Sequence, residues 1–172
     1  MAKSITTSGS LTTKASFSKD TPTLGPTTQT ITFTLASGLV FTNGTGALQV
    51  NCGWTASGTI AAAGTVDYDL AGGITDAFGD AITFTSIKLM CIENLSTTAT
   101  MLVGDAAAPF ASWITDPTDT VVIAPSTCLF LVNPTAVGYA VTATTGDTLR
   151  LAYPAAGPPA TLAYNIILWG VR

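Results

Sequence analysis

The chain has 172 residues, enough for one sizeable core and within the range that a single β-sandwich or barrel fills. Charged residues make up 9% of it, against about a quarter in ordinary soluble domains, so small neutral side chains, chiefly Thr, Ala and Gly, or other subunits must cover its surface. A net charge of −4 and six Lys and Arg residues without a basic cluster argue against nucleic acid as a partner, and no apolar run is long enough to cross a bilayer as a helix.

Residues 1–27 are rich in Ser, Thr and Lys and end in Pro22, Gly25 and Pro26. They read as an N-terminal arm, with Ile5, Leu11 and Phe17 too sparse for more than one short strand. Lys3, Lys14 and Lys19 lie in it, whereas most acids fall between Asp67 and Asp119, where Lys88 is the only base. The arm is therefore either a weakly basic contact for an acidic neighbour or a solvated tail. Met1-Ala2-Lys3 leads into Ser and Thr instead of an apolar stretch, so no secretory signal is expected and synthesis is assigned to a cytoplasm.

Residues 28–172 read as one β-domain. Ile31, Phe33 and Leu35 alternate with threonines as in a half-buried strand. Asn43-Gly44-Thr45-Gly46 suits a tight turn, and Leu48, Val50 and Cys52 alternate beyond it. Val66, Tyr68 and Leu70 form a further set, with Asp67 and Asp69 on the opposite side. Residues 71–80 read as a loop holding two buried residues, Ile74 and Phe78.

A long central strand is expected over 81–94, with a bulge near Thr85-Ser86, because its apolar parity changes there and both faces are apolar afterwards. Strands follow at 100–103, 120–123, 127–132, 139–143, 148–153 and 163–171, with one helical turn near Ala106–Trp113. Short strands at this spacing point to a sandwich or barrel.

With no histidine, Ser-His and Cys-His nucleophile pairs, histidine bases and histidine metal sites are excluded. Asp67 with Asp69, and Asp76 with Asp80, are the remaining carboxylate pairs for glycoside hydrolysis or Ca²⁺, but they read better as outward-facing and turn residues. No enzyme, cofactor or metal is expected. Cys52, Cys91 and Cys128 are unpaired in spacing and in step with apolar neighbours, so all three read as small core residues. Trp54, Trp113 and Trp169 with Tyr139 and Tyr164 offer the material of a carbohydrate platform, although Trp169 fits equally well a strand buried on both faces. Asn43-Gly44-Thr45 and Asn94-Leu95-Ser96 match the glycosylation pattern, by chance if no secretory signal exists.

The second half carries a set of turn and strand patterns: Asp69-Leu70-Ala71-Gly72-Gly73 into Thr75-Asp76-Ala77-Phe78-Gly79, Val122-Ile123-Ala124-Pro125, Ala136-Val137-Gly138-Tyr139-Ala140-Val141, Asp147-Thr148-Leu149-Arg150 and Tyr164-Asn165-Ile166-Ile167-Leu168-Trp169-Gly170. Over residues 40–172 the chain resembles small tailed-phage virion structural proteins encoded beside head genes, departing from them at Pro125-Ser126-Thr127, where relatives tend to have Pro-Gly-Gly. The resemblance implies an all-β, jelly-roll-like antiparallel β-sandwich with an extended N-terminal arm. It further implies a capsid decoration or cement protein on the virion exterior. Its partners would be the major capsid protein and copies of itself, possibly as a trimer, with no nucleic acid and no membrane. A tail, baseplate or head-fibre component and a carbohydrate-binding surface module are the alternatives. Candidate interface residues are Lys3, Lys14 and Lys19 in the arm, Phe78, Asp105, Phe110, Trp113, Pro154 and Pro158 in loops, and Trp169.

Overall fold

The computed structural model describes residues 7–9, 12–21, 25–34, 39–76, 79–154 and 158–172, with the backbone course alone up to Val40. All regular elements among them are β-strands, as expected, and the helical turn expected near 106–113 does not form.

Thr6–Phe41 makes one unit. In it β1 (Thr7–Gly9) pairs antiparallel with β4 (Leu39–Asn43). β2 (Thr12–Thr21) and β3 (Gly25–Thr34) form a hairpin in which Thr13 faces Phe33 and Ala15 faces Ile31. Strands β1 and β2 thus lie within residues 1–27, where the sequence reads as an arm with at most one short strand. Thr and Ser runs lack apolar alternation, yet β-branched Thr suits a pleated ribbon. This unit runs on to Phe41.

The unit from Thr42 to Arg172 carries the core. After β5 (Gln49–Val50), which pairs in parallel with the end of β4, come β6 (Cys52–Ala61), β7 (Thr65–Asp69), β8 (Ala71–Thr75), β9 (Ala81–Thr83) and β10 (Ser86–Asn94). They are followed by β11 (Met101–Gly104), β12 (Thr120–Ile123), β13 (Cys128–Val132), β14 (Tyr139–Ala140), β15 (Thr148–Ala152) and β16 (Thr161–Val171). One sheet runs β13-β10-β16-β6, with β14 added beside β10, and the other runs β12-β11-β15-β7. All of these pairings are antiparallel.

The pairings nest in sequence. β11 with β12 is the innermost pair, enclosed by β10 with β13, then β7 with β15, then β6 with β16, and successive pairs alternate between the two sheets. A single long hairpin folded over on itself would give this wiring.

Residues from both sheets meet in one apolar cluster. β16 shows why: Leu162, Tyr164, Ile166 and Leu168 are buried while Ala163, Asn165, Ile167 and Trp169 face outward, the alternation that the period of two dictates. Burying each large aliphatic side chain of this cluster contributes about 1.5–3 kcal/mol. The ring of Trp54 on β6 meets that of Tyr68 on β7 edge to face at 4.9 Å, joining the sheets.

Three expectations about this unit change. The strand over 81–94 is two strands in different sheets, with the register shift at Lys88, between Ile87 and Leu89, instead of near Thr85-Ser86. The loop over 71–80 holds β8, which pairs with β9 through Ile74 and Ile82, both buried. Cys52 is a core residue, but Cys91 is half-buried and Cys128 exposed. The alternation that placed all three in step with apolar neighbours gives parity along a strand without saying which face is inward. The expected central position of β10, between β13 and β16, is observed.

Candidate functional site

The register fixes the outer face of the β13-β10-β16-β6 sheet as three rows. The first crosses Gly53, Trp169, Leu89 and Val132. The second crosses Thr55, Ile167, Cys91 and Phe130, and the third Ser57, Asn165, Glu93 and Cys128. Two rows are therefore largely apolar and one is polar. Phe130 is 41% exposed and Ile167 38%, so the both-faces-apolar strands expected from sequence bury one face and present the other to solvent.

Glycine at position 53 has a packing reason. A Cβ there would lie 3.2 Å from Cδ1 of Trp169, so its absence leaves room for the indole beside β6. In the polar row Asn165 Nδ2 donates to Glu93 Oε2 at 2.9 Å. Thr55, Ser57, Cys91, Glu93, Asn165 and Ile167 line a depression of about 380 Å³. Burial, with Cys128 and Glu93 nearby, pushes the Cys91 thiol above its ordinary range, and Cys128 is its hydrogen-bond partner.

At one side of the sandwich β12 and β13 are the terminal strands of their sheets, joined by the short connection 124–127. Neither Thr120-Val121-Val122-Ile123 nor Cys128-Leu129-Phe130-Leu131-Val132 contains a charge or a proline. Val122 is 64% exposed. Edge strands ordinarily carry such residues to prevent further strand pairing.

The outer face of the other sheet is different in kind. Arg150 on β15 donates from Nε and Nη2 to the two carboxylate oxygens of Asp67 on β7, at 2.7 and 2.8 Å, and from Nη1 to the Asp105 carbonyl. These bonds hold the Asp67 carboxyl below its ordinary range. Asp69 accepts from the Ala71 amide, and Asp76 from the Asp80 amide. An Asp67 carboxylate locked to arginine is unsuited to donate a proton, so the Asp67–Asp69 arrangement does not resemble a glycosidase pair. Among the described residues no group of three or more Cys, Asp or Glu could hold a metal.

Lys88 lies on the central strand as expected, but it is buried. The register shift turns it under the connection from β13 to β14, where it is fully covered and its Nζ donates to the carbonyls of Thr135 and Ala136. Desolvation pulls its pKa below the ordinary lysine value. Gly138 closes this arch with φ +67°, and a Cβ there would lie 2.8 Å from the Ile87 carbonyl oxygen.

The candidate interface residues do not converge. Asp105 and Trp113 lie in the connection after β11, at the end where Phe110 and Asp147 bond to β15 and the 108 carbonyl. Pro154 and Pro158 lie after β15, at the other end, and both are exposed. Phe110 is buried in the core, because the neighbouring Pro109 bridges to Thr148 and the Phe110 amide bonds the Thr148 carbonyl. Trp113 packs partly on the core and donates from Nε1 to the Phe110 carbonyl at 2.8 Å. Trp169 is on the outer face, half-buried. Lys14 and Lys19 lie on β2; Lys3 and Phe78 are outside the described residues.

The tryptophan platform does not assemble either. Trp54 and Tyr164 point inward, Trp169 outward, and Trp113 sits in a loop. Asn94 is buried, its Nδ2 directed at the carbonyls of Ala99, Ile123 and Ala124, so this glycosylation match is enclosed in structure. Comparison with protein-family models, curated proteins and solved structures finds no match to this chain.

Proposed function

We propose that the chain is a structural protein of a tailed-phage particle, a capsid decoration or cement protein with a jelly-roll sandwich, bound to major capsid subunits and to copies of itself. The observation that carries this reading is the pair of uncharged apolar edge strands, β12 and β13, in a chain with 9% charged residues. Open edges of this composition favour pairing with another chain, and a protein kept in a larger assembly has them covered. The nested pairing of β6 with β16 through β11 with β12 supports the jelly-roll part, since two Greek keys folded from one long hairpin have this order. Many copies, each with a modest interface, would hold a shell by avidity.

Co-sedimentation with capsids tests this reading. Purified chain is expected to pellet with capsids of the parent phage, and the double variant Val122→Lys, Phe130→Lys is expected to stay in the supernatant with its thermal midpoint little changed. Failure to bind both empty and DNA-filled capsids would overturn it.

A further inference from the structure

We infer that the depression between β6, β16 and β10 is a binding site for neutral saccharide hydroxyls. Its lining comes from β6, β16 and β10, with Phe130 of β13 opposite Cys91 in the neighbouring strand, and the inference does not depend on what particle carries the chain.

Three features of the depression define its ligand. The first is charge. Across the three rows of this face Glu93 is the one ionisable acid and no Lys or Arg occurs, which is unfavourable for phosphate, sulfate or carboxylate ligands. The second is hydrogen-bonding capacity. The Asn165 amide fixes one oxygen of Glu93, and among the described residues the other carboxylate oxygen and Asn165 Oδ1 have no partner in the protein. Both are acceptors held in place, and the Thr55 and Ser57 hydroxyls across β16 donate or accept. Adjacent acceptors with exposed hydroxyls beside them match vicinal diols, each of which offers donors and acceptors together.

The third feature is the floor. Ile167, 38% exposed, and Cys91 supply an apolar surface for the C–H face of a pyranose, and Trp169 borders the same surface one row away beside Gly53. The volume of about 380 Å³ lies in the lower part of the range for small-molecule sites, suited to one or two sugar rings held at an open surface. A purely apolar partner would desolvate the Glu93 carboxylate with only the Asn165 amide to satisfy it, a costly arrangement. A hydroxyl-rich ligand satisfies it.

The test is saturation-transfer NMR on the full chain with neutral oligosaccharides of glucose, galactose, mannose and N-acetylglucosamine, alongside sialylated and sulfated ones, followed by titration of the strongest responder. Transfer to at least one neutral sugar is expected. Affinity should fall about tenfold in Asn165→Ala and in Thr55→Lys, two substitutions at outward positions, with each variant's thermal midpoint kept as a folding control. Absence of transfer to every neutral sugar would overturn the inference, as would binding unchanged in both variants or restricted to anionic sugars. A concentration-dependent dimer that Ile167→Lys dissociates, without sugar binding, would assign this face to a second copy and overturn it too.

Discussion

Tyr68 on β7 and Tyr164 on β16 reach toward each other across the two sheets and share a hydrogen bond of 2.6 Å between their hydroxyls. Gly58 leaves the space for this contact, since a Cβ there would lie 2.7 Å from the Tyr164 hydroxyl. The Trp54 ring packs edge-on against Tyr68, so the polar pair sits in apolar surroundings that raise the Tyr68 pKa, burial being the largest cause and the Tyr164 hydrogen bond the next. Removing one hydroxyl strands the other. Tyr68→Phe and Tyr164→Phe should each destabilise by about 1–2 kcal/mol in urea unfolding, and the double variant should cost clearly less than their sum. Additive losses would mean that the two hydroxyls do not act as a pair.

Lys88 gives a pH dependence of the opposite kind to a stabilising ion pair. Its folded-state pKa is depressed below the ordinary 10.5 by desolvation. Between the depressed value and 10.5 the unfolded chain binds more protons, so the cost of burying the charge is full below that window and is relieved as pH rises through it. Lys88→Met should lie within about 1 kcal/mol of the parent at pH 7, because losing the hydrogen bonds to Thr135 and Ala136 is offset by removing a buried charge. Moving from pH 7 to 10 should raise the urea midpoint of the parent relative to the variant.

Asp67 behaves in the usual carboxylate sense. The Arg150 hydrogen bonds lower its pKa from the ordinary 3.8, so the stability they contribute is present above that value and is lost as pH falls through the lower folded-state pKa. The pair is partly exposed, with 28% and 42% side-chain exposure for Arg150 and Asp67. Asp67→Asn should therefore cost under about 1 kcal/mol at pH 7, less in high salt, and the difference should shrink toward pH 2.

Thiol titration checks the cysteine assignment. Cys52 is buried and its pKa is pushed up to about 12, chiefly by burial; burial also raises that of Cys91, while Cys128 is exposed. A disulfide reagent at pH 8 should modify one thiol quickly in the native protein, and Cys128→Ser should remove that fast phase. All three should react in denaturant.

Much of the sandwich was legible in the sequence because its strands alternate. Thr120–Ile123 and the segments around Leu149 and Ile166 fall where the period of two put them. Alternation fails where neither face is distinctly apolar, which is why β2 read as an arm and β8 as a loop. It also cannot tell an outward apolar row from an inward one, so Cys128 and Phe130 read as core while their strand lies at an edge. Phe110 was the reverse case: beside Pro109 it looked like loop surface, but a parallel bridge to Thr148 draws it into the core. The depression had no sequence signal at all, because Thr55, Glu93 and Asn165 come from three strands joined only by register.

A cryo-electron map of the particle proposed to carry the chain tests the assignment to a virion most directly. The account expects density for a two-sheet domain on the outside of the shell, in repeated copies, with β12 or β13 against a neighbouring subunit. A well-resolved particle that lacks such density anywhere, in shell or tail, would contradict it.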